Sequence, residues 1–88
     1  TRQRRMVRVR LFAHLRELAG TDAVEIPMGT MQTTQDLLVG LTPYVPPALI
    51  DALRDQSAMI SVDQRYAGWD APLHDGAEVG ILPPVSGG

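Results

Sequence analysis

The sequence predicts an α+β fold, a mixed β-sheet with helices packed on one of its faces. Three observations predict it. Residues 6–12 alternate apolar and polar side chains at the two-residue period of a half-buried strand. Residues 33–54 place leucines and an isoleucine at helical spacing, interrupted by a proline-rich break. Residues 78–82 alternate again, so a strand stands near each end of the chain with helices between them.

Each element follows from its residues. In the first strand Val7, Val9 and Leu11 share one face, and Arg8, Arg10 and Phe12 share the other. Residues 13–19 read as a short helix that Gly20 can end in the left-handed conformation. Residues 23–26 form a second strand, stopped by Pro27. Thr33 or Thr34 caps a helix with apolar positions at Leu37, Leu38 and Leu41, its hydroxyl accepting from an orphaned backbone N–H. Thr42-Pro43-Tyr44-Val45-Pro46-Pro47 breaks that helix. Pro47 suits the first turn of the next one, residues 48–54, which buries Leu49, Ile50 and Leu53. Residues 59–62 are a third strand, Asp63-Gln64 a turn, and residues 65–67 a short edge strand. After the Asp75-Gly76 turn, the last strand points Val79 and Ile81 inward and Gly80 and Leu82 outward. The order β-α-β-α-α-β-β-β, without an internal repeat, is that of a β-grasp, whose first and last strands run parallel at the sheet centre.

Composition bounds the chemistry. Eighty-eight residues make one domain with a single modest core. A formal net charge of -2 leaves no electrostatic footprint for nucleic acid. The absence of cysteine excludes disulfides, thiolate metal sites and cysteine nucleophiles within the chain. The two histidines, His14 and His74, stand apart and do not make a metal site, and no apolar run reaches the length of a membrane span. The cytoplasm is the expected compartment. All eight cationic residues are arginine, so lysine-linked extension of the chain is impossible, although codon bias accounts for that composition. Residues 1–5 read as a basic, disordered leader ahead of Met6, residues 6–82 as the domain, and residues 83–88 as an extended tail.

The strand phase singles out a surface. Phe12 and Leu82 fall on the solvent faces of adjacent strands, beside Arg8, Arg10 and Gly80, and Tyr66 can join them from the edge. Single exposed hydrophobes are common, but two converging on the strand that leads into the tail favour a docking surface. Pro83 and Pro84 then project Val85, Ser86, Gly87 and Gly88 away from the sheet. Gly87 and Gly88, lacking Cβ atoms, could thread a narrow channel. Arg16, Glu17, His14 and Asp75 are the polar alternatives. Helix-surface pairing and turn formation explain them better, since no nucleophile–base–orienter set is visible.

Leu11-Phe12-Ala13-His14-Leu15-Arg16-Glu17-Leu18-Ala19-Gly20, followed by Asp22, resembles the opening of molybdopterin synthase small subunits, which are ubiquitin-like sulfur carriers. Asp70-Ala71-Pro72-Leu73-His74-Asp75-Gly76-Ala77-Glu78-Val79 and Leu82-Pro83-Pro84-Val85-Ser86-Gly87-Gly88 resemble their closing segments. The likeness spans residues 6–88 and is thinnest over residues 29–58. It implies that an activating enzyme of the ubiquitin-activating type, using ATP and Mg²⁺, adenylates the Gly88 carboxylate. A persulfide donor then converts Gly88 to a thiocarboxylate, which gives its sulfur to a pterin precursor on the synthase large subunit. The resemblance further implies a heterotetramer of two large and two small subunits, tail positioning by Pro83, Pro84, Val85, Ser86 and Gly87, and anchoring by Phe12, Leu82 and Tyr66. No cofactor is expected in this chain itself. Two alternatives share its features: a sulfur carrier for thiamine thiazole synthesis or tRNA thiolation, and a β-grasp interaction module without covalent chemistry.

Overall fold

The computed structural model describes residues 5–84. Strand β1 (Met6–Leu11) alternates buried and exposed side chains as its sequence dictates. It ends one residue earlier than its alternation suggests, because Ala13 adopts φ 55° and ψ -134° and turns the chain into helix α1 (His14–Ala19). The Phe12 N–H still donates to the Ile81 carbonyl at 3.3 Å, so the ladder outlasts the strand by one bond. Gly20 closes α1 at φ 75°, its N–H reaching the carbonyls of Arg16 and Glu17. A left-handed residue here is what favours glycine.

Strand β2 (Ala23–Pro27) includes Pro27, which faces Met6, where the sequence suggested a stop. The correction has a simple cause: β2 is an edge strand, and an edge tolerates a residue without an N–H. Beyond it, the Met28 N–H donates to the Arg5 carbonyl at 2.8 Å.

The helical block starts with a 3₁₀ turn (Thr34–Asp36) and continues into α2 (Leu37–Leu41). Of the two candidate caps, Thr33 occupies the N-cap, in a capping box with Asp36. The Asp36 carboxylate accepts from the N–H groups of Gln32 and Thr33, which lowers its pKa. Thr34 is fully buried, and its hydroxyl donates to the Gly68 carbonyl at 2.7 Å and accepts from the Ala71 N–H at 3.1 Å. Thr34 thus staples the helix start to a distant loop and caps nothing. Helix α3 (Pro47–Leu53) begins on Pro47 as expected and buries Leu49 and Leu53; Ile50 and Leu38 are only partly buried against the core.

Strands β3 (Met59–Val62), β4 (Arg65–Ala67) and β5 (Glu78–Leu82) match their expected positions. The sheet order is β2-β1-β5-β3-β4. Strands β1 and β5 pair in parallel, Val9 beside Val79 and Leu11 beside Ile81, and the other three pairings are antiparallel. The inward residues Val7, Val9, Leu11, Ile26, Ile60, Val79 and Ile81 meet Leu15, Leu37, Leu41, Leu49 and Leu53 from the helices. All helices therefore cover one face, which is the β-grasp arrangement. Trp69, partly buried against this core, anchors the loop after β4 by donating to the Ala58 carbonyl at 3.1 Å.

The Thr34 staple makes a testable case. Thr34→Val should destabilise the fold by about 1–3 kcal/mol, since two buried backbone groups lose their partner, while Thr34→Ser should retain most of the stability. Urea denaturation of the two variants measures the difference.

Candidate functional site

On the side of the sheet away from the helices, register decides which residues meet. Arg8 lies between Glu25 and Glu78, Arg10 beside Gly80, and Ser61 between Gly80 and Tyr66. Met59 faces Leu82. The outer face is therefore zoned: charged near the start of β5 and apolar near its end.

The apolar zone is built around a glycine. A Cβ at Gly80 would stand 2.6 Å from Ser61 Oγ, 3.4 Å from Phe12 Cε2 and 3.9 Å from Leu82 Cδ1. Gly80 is itself buried because these side chains close over it. Phe12 and Leu82 are each half-buried, while Tyr66 is 72% exposed. Phe12, Ser61, Gln64, Tyr66 and Leu82 line one shallow hollow of about 200 Å³. The Arg10 guanidinium lies 5.5 Å from the centroid of the Phe12 ring, within cation–π reach, and 3.7 Å from the Glu78 carboxylate. The Phe12 ring therefore lies between the Arg10 guanidinium and Gly80. The face predicted from strand alternation is real in its geometry: Phe12, Leu82 and Tyr66 converge.

Three contributors were not foreseen. Ser61 and Gln64 complete the hollow, and Met59 borders Leu82. For Met59 and Ser61 the signal was available in β3, whose outward residues alternate with Ile60 once its pairing with β5 is known; Gln64 comes from the turn that follows. Pro83 follows the face half-buried and Pro84 exposed, both beyond the end of β5. Val85, Ser86, Gly87 and Gly88, the remaining tail positions singled out in the sequence, lie outside the described residues, as do residues 1–4.

The charged end holds a second arrangement. Asp63 Oδ1 accepts from the Glu78 N–H at 3.1 Å, and Asp63 Oδ2 lies 2.5 Å from His74 Nε2. His74 Nδ1 lies 2.8 Å from the Asp75 carbonyl oxygen. The bond to Asp63, then that to Asp75, raises the His74 pKa; the bond from His74, then that from Glu78, lowers the Asp63 pKa. Asp75 spends its carboxylate on the Met6 N–H at 3.0 Å, the structural role its turn motif suggests. His14, Arg16 and Glu17 are exposed on and around α1. Among the described residues no group of three or more His, Cys, Asp or Glu could hold a metal ion, and no helix is long and apolar enough to cross a membrane.

A second hollow, about 330 Å³, opens beyond the edge of β2 between Met28, Met31, Val39 and Tyr44. Its one carboxylate, Asp36, is already bound to backbone N–H groups.

The two faces should respond differently to truncation. Ile81→Ala, in the core, is expected to cost about 2–4 kcal/mol, whereas Phe12→Ala should cost much less. Gly80→Val should lift Phe12 and Ser61 from the sheet, quenching the chemical-shift signature of the ring over β5. Thermal denaturation and NMR of the three variants check this; equal losses for Phe12→Ala and Ile81→Ala would make Phe12 a core residue.

With the geometry in place, comparison with known proteins identifies the family. The ThiS family pattern matches residues 9–88. The molybdopterin synthase sulfur carrier subunit of Escherichia coli (strain K12) is 37% identical over 83 residues, covering 94% of this chain and 100% of that relative. The solution structure of small archaeal modifier protein 1 from Methanosarcina acetivorans superposes with a TM-score of 0.74 at 33% identity, covering 99% of this chain and 100% of that one. Subunit 1 or 2 in the complex of the molybdopterin-converting factor from Helicobacter pylori 26695 matches with a TM-score of 0.62 at 25% identity, covering 94% of this chain and 99% of that one. This chain belongs to the ThiS family.

Proposed function

We propose that this chain is the sulfur-carrier subunit of a molybdopterin synthase, with Gly88 as the residue that bears the sulfur. The observation that supports it best is the likeness to the Escherichia coli carrier subunit over that protein's whole length. The outer face adds a physical reason. Leu82 belongs to the apolar hollow, and Gly88 stands six residues later in the sequence. Six extended residues reach at most about 20 Å, so a partner seated on the hollow would have the tail within reach of its interior.

A terminal carboxylate with a pKa of about 3.3–3.7 is ionised near neutrality and resists nucleophilic attack. In the proposed sequence, a ubiquitin-activating-type enzyme joins the Gly88 carboxylate to ATP with Mg²⁺, releasing pyrophosphate and leaving an acyl-adenylate. The terminal sulfur of a persulfide donor attacks the acyl carbon and AMP leaves. A second thiol cleaves the resulting S–S bond by forming a disulfide, which frees the thiocarboxylate. The chain has no cysteine, so the sulfur and both thiols come from partners. The thiocarboxylate then enters the large subunit and its sulfur attacks the pterin precursor, cyclic pyranopterin monophosphate; the dithiolene requires two such deliveries. The Helicobacter pylori complex of subunits 1 and 2 supports a large-subunit partner. A heterotetramer of two large and two small subunits, working in the cytoplasm, completes the reading.

Two outcomes are expected. Incubation with an activating enzyme, ATP and a persulfide donor should exchange one oxygen for one sulfur in the intact mass. Deleting Gly88 or appending a residue after it should abolish that exchange with the fold retained by circular dichroism. Sulfur transfer from an unprocessed, extended chain would exclude Gly88 as the carrier. For docking, Phe12→Ala or Leu82→Arg should weaken binding to the large subunit by about tenfold or more, as truncated interface anchors do. Titration calorimetry reads it, and unchanged affinity would move the interface off this face.

A further inference from the structure

We propose that His74 is a positioning residue for the docking face: as an imidazolium it clamps Asp63 and so holds the β3–β4 turn that presents Gln64 and Tyr66 to a partner. The inference deepens the docking reading given above and rests on it.

The geometry calls for two protons on the ring. Nδ1 lies 2.8 Å from the Asp75 carbonyl oxygen and Nε2 lies 2.5 Å from the Asp63 carboxylate. Both partners are acceptors only, and a neutral imidazole has a single N–H to offer them. Whichever nitrogen loses its proton then points a lone pair at an oxygen.

The two sides of this clamp are held unequally. The His74 loop is tied down independently: the Leu73 N–H donates to the Gln32 carbonyl, the Gly76 N–H to the Met6 carbonyl, and the Ala77 N–H to the His74 carbonyl, at 2.9, 2.8 and 3.0 Å. Asp75 also accepts from the Met6 N–H, and Leu73 is buried. The turn is the weaker partner. Asp63 and Gln64 both sit at positive φ, 52° and 70°, a region that disfavours side chains. They lead into β4, a three-residue edge strand with Arg65 and Tyr66 exposed. Besides the β3–β4 pairing, the turn is held by two bonds between Asp63 and the Glu78 backbone and by His74.

The charged groups around His74 are Asp63 on the turn, Asp75 in its own loop and Glu78 at the start of β5, with Arg10 of β1 beyond Glu78. Asp63, and then Asp75 chiefly through its carbonyl, favour the charged ring and raise its pKa. The sign follows. With the His74 pKa raised, the clamp is complete below the ordinary histidine value of about 6.5 and is lost as pH rises through the elevated one. With the Asp63 pKa lowered from 3.8, it is lost again only in strong acid. Docking should therefore be tightest in mildly acidic solution and loosen above neutrality.

The test pairs a binding titration with NMR of the free full-length chain. Affinity for the molybdopterin synthase large subunit is measured from about pH 5.5 to about pH 8.5 at constant ionic strength, for the wild type and for His74→Gln. The wild type should weaken by about two- to fivefold more than His74→Gln across that range, the scale of one exposed ion pair. In the free chain, the amide signals of Gln64, Arg65 and Tyr66 should titrate with the His74 ring, and Asp63→Asn should abolish that titration. An identical pH slope in wild type and His74→Gln, with binding intact, overturns the positioning role. Absence of binding, with the free-chain titration as described, overturns the docking reading and leaves the clamp established within the fold. A free-chain turn that ignores His74 overturns the clamp itself.

Discussion

Everything on the outer face depends on the parallel pairing of β1 with β5. That pairing joins the first and last strands of the domain at the middle of the sheet, across the longest sequence separation in the fold. Its inner side places Val9 against Val79 and Leu11 against Ile81, all essentially without solvent contact. Its outer side is consequently determined too. Side chains alternate with a period of two, so burying Leu11 and Ile81 obliges Phe12 and Leu82 to face outward together. A one-residue slip of β5 would put Gly80 and Leu82 into the core and Ile81 on the surface. The apolar cost of that exchange locks the register, and the register builds the outer face on which Phe12, Leu82 and Tyr66 converge.

Within that face, glycine and arginine do complementary work. Gly80 leaves the surface low enough for Phe12 and Ser61 to close over the strand, where a Cβ would collide with Ser61 Oγ. Arg10, tethered to Glu78, covers the exposed side of the ring. An aromatic side chain held on both sides loses little freedom when a partner covers it, which raises the share of contact energy that reaches affinity. Ala13 shows the local cost. Its positive φ turns the chain immediately after Phe12, so that the ring stays on the sheet while α1 swings to the opposite face.

Much of this was legible in the sequence, and the exceptions have identifiable causes. Alternation in residues 6–12 and 78–82 was enough to phase both strands, since only one phase buries valine, leucine and isoleucine. Phe12, Leu82 and Tyr66 could be brought together on paper because the β-grasp order forces their strands into one sheet. Of the two threonines that could cap the helical block, Thr33 holds the cap position, within a capping box with Asp36. Thr34 spends its hydroxyl instead on Gly68 and Ala71, more than thirty residues away in the sequence, and no local rule sees that distance. Pro27 looked like a terminator because strand statistics do not reveal which strand will be an edge. The His74–Asp63 pair was invisible for the same reason as Thr34: it joins two turns that only the tertiary fold makes neighbours.

The modest size of the face bears on how a carrier could work. Its hollow is about 200 Å³, with two half-buried anchors and one exposed tyrosine. On the proposed reading, one product needs two sulfur deliveries, and each spent tail must leave, be recharged by a different enzyme and return. A deep, wholly apolar interface would lengthen the complex's lifetime, because affinity differences between related complexes lie mostly in the dissociation rate. A small preorganised face serves successive partners better. On that reading it would fix where the tail enters while leaving the body free to exchange, and the same Phe12–Leu82 surface would be offered in turn to an activating enzyme and to the one that consumes the sulfur.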